Sequence, residues 1–233
     1  MRRVVWDWNG TLFDDLDVVL EAVNLGLEPL GLGPIDLDDY RTHYTRPVKV
    51  FYDRLAGRDV TDHEWHAIDR RFHDGYRELM RQARPTRDAE AALEAVRAAR
   101  VPQSLLSMFP HPDLIPLVSH LGLAHYFERI DGLRGAPGDS KAAYLEQHLE
   151  SLIGDAPPGE VLVIGDTPDD AVAAGHVGAR CVLYDNGSHH REELESVGVL
   201  VVDSLVAAVE PWLASAGRNP KIDYPPSTVT DSM

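Results

Sequence analysis

Short apolar runs alternate with helical periodicities along most of the chain. The runs are continuous rather than alternating in hydrophobicity, and polar residues or glycine close each of them, as is typical of buried parallel strands. They lie at residues 3–8, 103–107, 161–165, 179–184 and 199–202. Because helical segments separate them, the pattern predicts an α/β fold, a doubly wound parallel sheet of Rossmann-like form.

The helical segments are recognised by apolar residues at three- and four-residue steps. The first is a stripe made by Leu16, Leu20, Val23, Leu27 and Leu30. Thr86 is predicted to be the N-cap of a second helix that ends near residue 100, before Pro102. Further helices are predicted at 112–121, 141–153, 169–177, 191–197 and 205–213.

One interval breaks the alternation of strand and helix. Residues 15–85 carry helical patterns and no convincing strand, an interval much longer than an ordinary crossover of ~10–12 residues. We therefore predict an α-helical cap domain at 15–85, inserted into a core domain formed by 1–14 and 86–213. Residues 214–233 are rich in Pro, Ser and Thr and are predicted to form a mobile tail.

The charge balance narrows the range of partners. The formal net charge is -16, which disfavours binding to nucleic acid or to an anionic membrane surface. The sequence has no apolar segment of membrane-spanning length and no recognisable signal peptide, so we expect a cytoplasmic monomer or homodimer. The single cysteine, Cys181, lies in an apolar run and is interpreted as a buried structural thiol.

Acidic residues follow two of the predicted strands. Asp7 opens the segment Asp-Trp-Asn-Gly-Thr after the first strand, and Asp166 follows the strand at 161–165. In the predicted sheet these strands are neighbours, so the carboxylates converge at one edge, where a hard cation such as Mg2+ would offset their repulsion. Two other interpretations stay open, because Asn9-Gly10 is also a hairpin signal and acids near Pro168 are also helix caps.

Two more polar residues occupy comparable positions. Ser107 ends the second strand, and its hydroxyl could donate to a phosphate oxygen. Lys141 begins a helix, and its ammonium could neutralise a phosphate and an attacking carboxylate. Alone, each is equally consistent with an ordinary turn residue or a solvated lysine.

The order Asp7 with Asn9, then Ser107, Lys141, and Asp166 with Asp170 resembles the four-part motif of the haloacid dehalogenase superfamily. The resemblance extends over residues 2–213, and the insert resembles the helical cap of phosphoglycolate-phosphatase-like members. It implies a Mg2+-dependent phosphatase or phosphotransferase acting on a small phosphorylated metabolite, with Asp7 as the nucleophile.

The resemblance also implies a role for each site residue. Mg2+ would be bound by Asp7, by the main-chain carbonyl of Asn9 and by Asp166, with Asp170 supporting the metal shell. The phosphoryl group would be held by Ser107 and Lys141, and contacted by Gly10, Thr11 and Met108.

The sequence departs from this family at Asn9. Most of the family's phosphatases have an aspartate there, which protonates the leaving oxygen and then activates water. An amide cannot take up and return a proton in this way. We expect slow turnover, transfer of the phosphoryl group to another acceptor, or a substitute acid such as Asp14, Asp15 or a cap histidine.

Other classes fit less well. A dehalogenase would not need the acidic cluster, a receiver domain would have its acidic residues in a different order, and glycine-rich nucleotide motifs are missing. The segment His63-Glu64-Trp65-His66 lacks the histidine spacing of zinc proteases. The main rival hypothesis is a degenerate member that binds a phosphorylated ligand or partner without turnover.

A local excess of positive charge lies in the predicted cap. Its members are Arg41, Arg46, Lys49, Arg54 and Arg58, opposed only by Asp53 within that stretch. The set is consistent with a lip that attracts an anionic substrate, with Arg46 as the best single candidate, and equally with a solvated helix face.

Overall fold

The computed structural model describes residues 2–135, 140–152 and 157–215. The described chain divides into two compact units. One is built from the residues up to Asp14 and from Pro85 onward, and we call it the core unit. The other comprises Asp15–Arg84, one residue shorter than the insert predicted at 15–85, and we call it the helical unit.

Six parallel strands form the sheet of the core unit, in the order β5-β4-β1-β6-β7-β8. They are β1 (Arg3–Trp6), β4 (Gln103–Pro110), β5 (Ile130–Leu133), β6 (Val161–Gly165), β7 (Arg180–Tyr184) and β8 (Leu200–Val202). Two further strands of two residues each are β2 (Phe13–Asp14) and β3 (Arg84–Pro85). Strands β1 and β6 are buried along their whole length, which explains their unbroken apolar sequences.

The helices of the core unit cover the sheet. They are α5 (Ala89–Ala98), α6 (His111–His120), α7 (Lys141–Glu150), α8 (Pro168–His176), α9 (Arg191–Ser196) and α10 (Leu205–Ala214). Helices α7 and α8 pack over a cluster that includes Val5, Val163 and Cys181. Side chains alternate along a strand, so Trp6 points to the other face, where its indole N–H donates to Gln103, which in turn donates to α5.

The helical unit contains α1 (Leu16–Leu27), α2 (Leu37–His43), α3 (Val48–Ala56) and α4 (Asp62–Leu79). Helix α1 packs along α4, and an aromatic core that includes Tyr40, Phe51 and Tyr52 fills the space among the helices. In the part of the chain that the structure describes, no helix is both long enough and apolar enough to cross a bilayer.

The α/β fold class predicted from the hydrophobic pattern is confirmed, and the five predicted strands are present with small shifts at their ends. Strand β1 is shorter than predicted, since it ends at Trp6, and β4 is longer. The edge strand β5 was not predicted, because its four residues include Asp131 and Gly132, which are unusual in a buried strand.

Thr86 is not the N-cap of a helix, contrary to the prediction. Its hydroxyl donates to the carbonyl of Thr11 at 2.6 Å, and its N–H donates to the carbonyl of Leu12. The N-cap of α5 is Asp88. The tail predicted at 214–233 lies outside the described residues from position 216 onward, and Ala214 is the last residue of α10.

Candidate active site

A tight turn places the first candidate residue, Asp7, at the carboxyl end of β1. The Asp7 N–H still donates to the carbonyl of Ile164 in β6 at 2.8 Å, so the residue continues the pairing of the two strands. The chain then reverses: the Phe13 N–H donates to the carbonyl of Trp8 at 2.9 Å, and the rings of these two residues stack with centroids 5.2 Å apart. This turn fixes Asp7 on the most buried part of the sheet.

Gly10 is required in this turn for two reasons. Its φ of 72° lies in the left-handed region that glycine adopts without strain. A Cβ atom at this position would lie 2.2 Å from Oδ2 of Asp166 and 2.5 Å from Nδ2 of Asn186. The Asn-Gly pair that also suggested a simple hairpin therefore serves to bring the turn against a second acidic residue.

Lys141 joins two of the predicted carboxylates. It is the first residue of α7, and its Nζ forms an ion pair with Oδ1 of Asp7 and another with Oδ1 of Asp170. The side chains of all three are largely buried, with Lys141 11% exposed, Asp7 9% and Asp170 0%. Residues separated by more than 130 positions in the sequence thus form one ionic cluster.

Asp170 has a structural role as well as a contact with Lys141. Its Oδ2 accepts hydrogen bonds from the N–H and the hydroxyl of Thr167, at 3.1 and 2.7 Å, which caps α8. Gly165 makes room for it, because a Cβ atom there would lie 2.1 Å from Asp170 Cγ. The capping interpretation and the site interpretation therefore both apply, each to a different oxygen of one carboxylate.

Asp166 is held by side chains from two other segments. The hydroxyl of Thr11 donates to Oδ1 at 3.3 Å, whereas Oδ2 accepts from Asn186 Nδ2 at 3.2 Å and from the Ser188 hydroxyl at 3.3 Å. Asn186 also donates to the carbonyl of Gly10 at 2.7 Å. It therefore links Asp166 to the turn that follows Asp7.

Sequence reasoning missed Asn186 and Ser188. Both lie directly after β7, the neighbour of β6, so they follow the same rule of polar residues at strand ends that pointed to Asp7 and Asp166.

The three carboxylates meet at one point. One oxygen each from Asp7, Asp166 and Asp170 can be chosen so that all lie within 4.8 Å of one another, and all three residues are buried. A search of the described residues for acidic, histidine and cysteine side chains that could together hold a metal ion gives this one group. Three carboxylates against the single ammonium of Lys141 leave an excess of negative charge, and an all-oxygen donor set of this kind suits a hard divalent cation.

The electrostatics of the cluster reflect this excess. Burial raises the pKa of Asp7 to about 7; the Lys141 ammonium opposes the rise and the Asp170 carboxylate adds to it. Burial also disfavours the charged form of Asp170, but Lys141 and the Thr167 hydrogen bonds outweigh that effect and lower its pKa. The two carboxylates in turn raise the pKa of Lys141 despite its burial, so the ammonium stays charged.

Ser107 does not end the strand, contrary to the prediction, because β4 continues to Pro110, and it lies where the pairing of β4 with β5 is irregular. It is buried, and its Oγ accepts a hydrogen bond from the Phe109 N–H at 3.0 Å. Because the oxygen serves as acceptor there, the hydroxyl proton can be directed elsewhere. Met108 follows on the same strand, and Asn9 is half-buried within the turn after Asp7, where it forms an isolated bridge with Phe13.

The positive charges predicted to form a lip are partly neutralised inside the helical unit. Arg58 forms a two-point ion pair with Glu64, and Lys49 pairs with Asp53. Arg54 donates to the carbonyl of His43. The charge excess seen in the sequence is therefore reduced at Arg58 and Lys49, and the role of Arg46 in substrate binding stays a prediction.

Cys181 is a buried thiol, as the sequence predicted. Cys181 is buried, and burial raises the pKa of its thiol well above the ordinary value, so it is not an activated nucleophile. His66 Nδ1 lies 2.5 Å from the carbonyl of Asp62, within the helix that carries it.

The chain was compared with known proteins. The family model described as haloacid dehalogenase-like hydrolase matches residues 1–178. The phosphoglycolate phosphatase of Pseudomonas fluorescens strain Pf-5 is 26% identical over 241 residues, covering 100% of this chain and 87% of that protein.

Solved structures show the same fold at lower identity. A predicted phosphoglycolate phosphatase from Haemophilus somnus matches with a TM-score of 0.76 and 19% identity, over 91% of this chain and 98% of that one. A putative β-phosphoglucomutase from Thermotoga maritima matches with a TM-score of 0.64 and 17% identity, over 91% and 98%. With most of its length matched by the family model, and with the ordered acidic cluster described above, the chain belongs to the haloacid dehalogenase-like hydrolases.

Proposed function

We propose that the protein is a Mg2+-dependent phosphatase or phosphotransferase that acts on a small phosphomonoester through an aspartyl phosphate on Asp7. The observation that carries the proposal is the cluster of Asp7, Asp166 and Asp170 around the Lys141 ammonium. Burying several carboxylates together costs free energy unless a bound cation offsets their charge, and such groups are typical of functional sites.

The donor set fits a divalent cation. Asp7 and Asp166 would be ligands together with the main-chain carbonyl of Asn9, and Asp170 would complete or support the shell. When bound, the cation supplies charge that offsets the phosphoryl oxygens. Thr11, Asn186 and Ser188 donate to Asp166 and so hold one ligand in a fixed orientation.

The chemical step would use the chain's own residues as follows. An oxygen of the Asp7 carboxylate attacks phosphorus, a new O–P bond forms, and the bond from phosphorus to the ester oxygen breaks. The leaving oxygen takes a proton, and a water molecule then hydrolyses the acyl phosphate to release inorganic phosphate and regenerate Asp7. Lys141, already paired with Asp7, and the hydroxyl of Ser107 would hold the phosphoryl oxygens through both steps.

Asn9 limits this scheme at the proton transfers. An amide hydrogen-bonds to the leaving oxygen but does not exchange a proton with it. General acid–base catalysis typically contributes ~10²–10⁴-fold in rate, so we expect slow hydrolysis of substrates with poor leaving groups. A long-lived aspartyl phosphate would also permit transfer to an acceptor other than water.

Asp15 is less suited to replace the missing acid than its position in the sequence indicated. It is buried and accepts a hydrogen bond from the Tyr76 hydroxyl at 2.5 Å within the helical unit. Asp14 is exposed and remains a candidate, as do the histidines of the helical unit.

The substrate class follows from the relatives. Several relatives are phosphoglycolate phosphatases, and the compound in their name is a small phosphorylated acid. We therefore propose phosphorylated carboxylic acids as the first compounds to screen, with phosphoglycolate at the head of the series.

The test is hydrolysis of p-nitrophenyl phosphate and of phosphoglycolate, each with Mg2+ and with a chelator, by wild type, Asp7→Asn and Asn9→Asp. We expect slow, Mg2+-dependent turnover by wild type, none by Asp7→Asn, and a rise of ~10²-fold or more for Asn9→Asp with the poor leaving group of phosphoglycolate. The gain should be smaller with p-nitrophenyl phosphate, whose leaving group needs little protonation.

The second candidate function is binding of a phosphorylated ligand without turnover, and the substitution at Asn9 is the observation that favours it. An inert wild type together with an active Asn9→Asp would support that function. Folded protein that is inert in both forms and does not bind Mg2+ would contradict both proposals.

A further inference from the structure

The core unit contains a second buried polar group, which the scheme above does not use. His148 on α7 is 2% exposed, and its two ring nitrogens contact two different strands. Nδ1 lies 2.7 Å from Oδ2 of Asp131 in β5, and Nε2 lies 2.8 Å from Oγ of Ser104 in β4. We call Ser104, Asp131 and His148 the histidine network.

The residue types match those of a serine hydrolase, but the burial excludes that chemistry. Ser104 is 0% exposed, so no substrate carbonyl can reach its hydroxyl. Asp131 is also shared, because Arg129 donates to the same Oδ2. The three side chains satisfy one another's hydrogen bonds and therefore constitute a connector between a helix and two strands.

His148 lies on the same helix as Lys141, the residue whose ammonium pairs with Asp7 and Asp170. Lys141 is the first residue of α7, and His148 follows seven positions later, two helical turns or ~10.5 Å along the axis. Residues at this spacing lie on the same face of a helix. Fixing His148 against β4 and β5 therefore fixes the height and rotation of α7, and with them the point from which the Lys141 ammonium reaches Asp7 and Asp170.

Apolar packing alone would specify this placement less tightly. Leu145 on α7 is buried among aliphatic residues, and such contacts tolerate a sliding helix more readily than two directional hydrogen bonds do. A buried histidine is also harder to accommodate than an apolar residue of equal volume, so its value here is in specificity more than in stability.

We propose that His148 is a positioning residue, which holds Lys141 in register with Asp7 through its hydrogen bonds to Asp131 and Ser104. The inference rests on the proposed function, because Lys141 binds the phosphoryl group there and His148 would position Lys141 for that contact. Ser104 would hold His148 against β4, the strand that also carries Ser107.

The first experiment compares His148→Phe, which keeps a ring but removes both hydrogen bonds, with Leu145→Ala on the same helix. Leu145→Ala removes buried apolar contacts and is the control for general destabilisation. We expect His148→Phe to lower kcat ~10–100-fold, as a small misplacement of a catalytic group does, while the Mg2+-induced rise in Tm is retained. Leu145→Ala should lower Tm at least as much but reduce kcat less than threefold.

A double-mutant cycle with Lys141→Met then separates positioning from a general structural role. The readout is the dissociation constant of inorganic phosphate in the presence of Mg2+, which requires no turnover. His148→Phe should weaken phosphate binding in the wild-type background and have no further effect once Lys141 is gone. If His148→Phe fails to fold, Ser104→Ala carries the same cycle with a smaller expected effect.

Each result has a distinct meaning. Equal effects of His148→Phe in both backgrounds would overturn the positioning role, even if the enzyme is active. Wild type that neither turns over a phosphomonoester nor binds phosphate with Mg2+ would overturn the proposed function, and the inference with it. An active wild type, together with non-additive effects of His148→Phe and Lys141→Met, supports the proposed function and the positioning role of His148.

Discussion

Two buried polar groups of the core unit differ in how their charges are matched. The acidic cluster has three carboxylates, from Asp7, Asp166 and Asp170, and one ammonium. In the histidine network, the single carboxylate of Asp131 has an arginine and a histidine as partners. The carboxylates of the acidic cluster are all buried, whereas the Asp131 side chain is 15% exposed.

This difference separates a site from a structural connector. Burial pushes the pKa of Asp7 up to about 7, whereas Asp131, with Arg129 and His148 as donors, has a pKa lowered to about 2 in spite of its burial. The shift is not uniform within the acidic cluster, because Lys141 and the Thr167 hydrogen bonds lower the pKa of Asp170, whereas burial outweighs the Lys141 ammonium at Asp7. The raised pKa of Asp7 means that its charged form is disfavoured unless further positive charge is bound beside it.

The largest expected effect comes from breaking the acidic cluster at Asp166. Asp166→Asn should lower kcat ~10³-fold or more, because a missing ligand removes several kcal/mol of transition-state stabilisation. The Mg2+-induced rise in Tm should vanish, and the Tm without Mg2+ should stay level or rise, since one repelling charge is gone. Activity assays and thermal unfolding with Mg2+ and with chelator measure both effects.

The matched control is Asp169→Asn, an exposed acid on the first turn of α8. It should keep the Mg2+ response and most of the activity. An Asp166→Asn protein that still gains stability from Mg2+ would contradict the assignment of the cluster as a cation site.

The sequence predicted the strands that carry this cluster because buried parallel strands are apolar along their whole length. Asp7, Lys141, Asp166 and Asp170 were assigned from their order and their positions after strands or before a helix, and the structure brings the four side chains together. Their chemical roles and the role of Arg46 stay predictions, which the assays above test.

The features that sequence reasoning missed are those that depend on tertiary contacts. Edge strand β5 has Asp131 and Gly132 at central positions, and the contacts of Asp131 with His148 and Arg129 explain an acid there. Asn186 resembled a turn residue, because the carbonyl and carboxylate it binds belong to distant segments. Local periodicity carries no information about such partners.

A smaller effect is expected from Asn186→Ala, which removes a support of the cluster while leaving all its charges. Loss of the hydrogen bonds to Asp166 and to the Gly10 carbonyl should weaken Mg2+ binding ~10–100-fold, as substitutions around metal ligands typically do. Calorimetric titration with Mg2+ measures the affinity. His190→Ala, an exposed substitution four residues later, is the control, and equal affinities in the two variants would show that Asn186 does not orient Asp166.

The smallest effect is expected in the balanced group, at Asp131. The pKa of Asp131 is about 2 in the folded protein, against 3.8 ordinarily. Burial alone would raise this pKa, but the hydrogen bonds from His148 and Arg129 outweigh burial and lower it. A lowered folded-state pKa contributes stability that is present above pH ~4 and lost as the pH falls toward 2, here ~2 kcal/mol at most. Asp131→Asn removes this contribution, so the variant should be less stable than wild type at pH 5 by up to that amount.

The difference between the two proteins should shrink as the pH falls from 4 to 2. Urea unfolding at a series of pH values measures it, with Glu150→Gln, an exposed substitution on α7, as the control. A gap that stays constant with pH would mean that Asp131 stabilises the fold by packing rather than as a charged partner. Because Asp131 is not one of the three carboxylates of the acidic cluster, its substitution should leave the Mg2+-induced rise in Tm unchanged, the opposite of the result expected for Asp166→Asn.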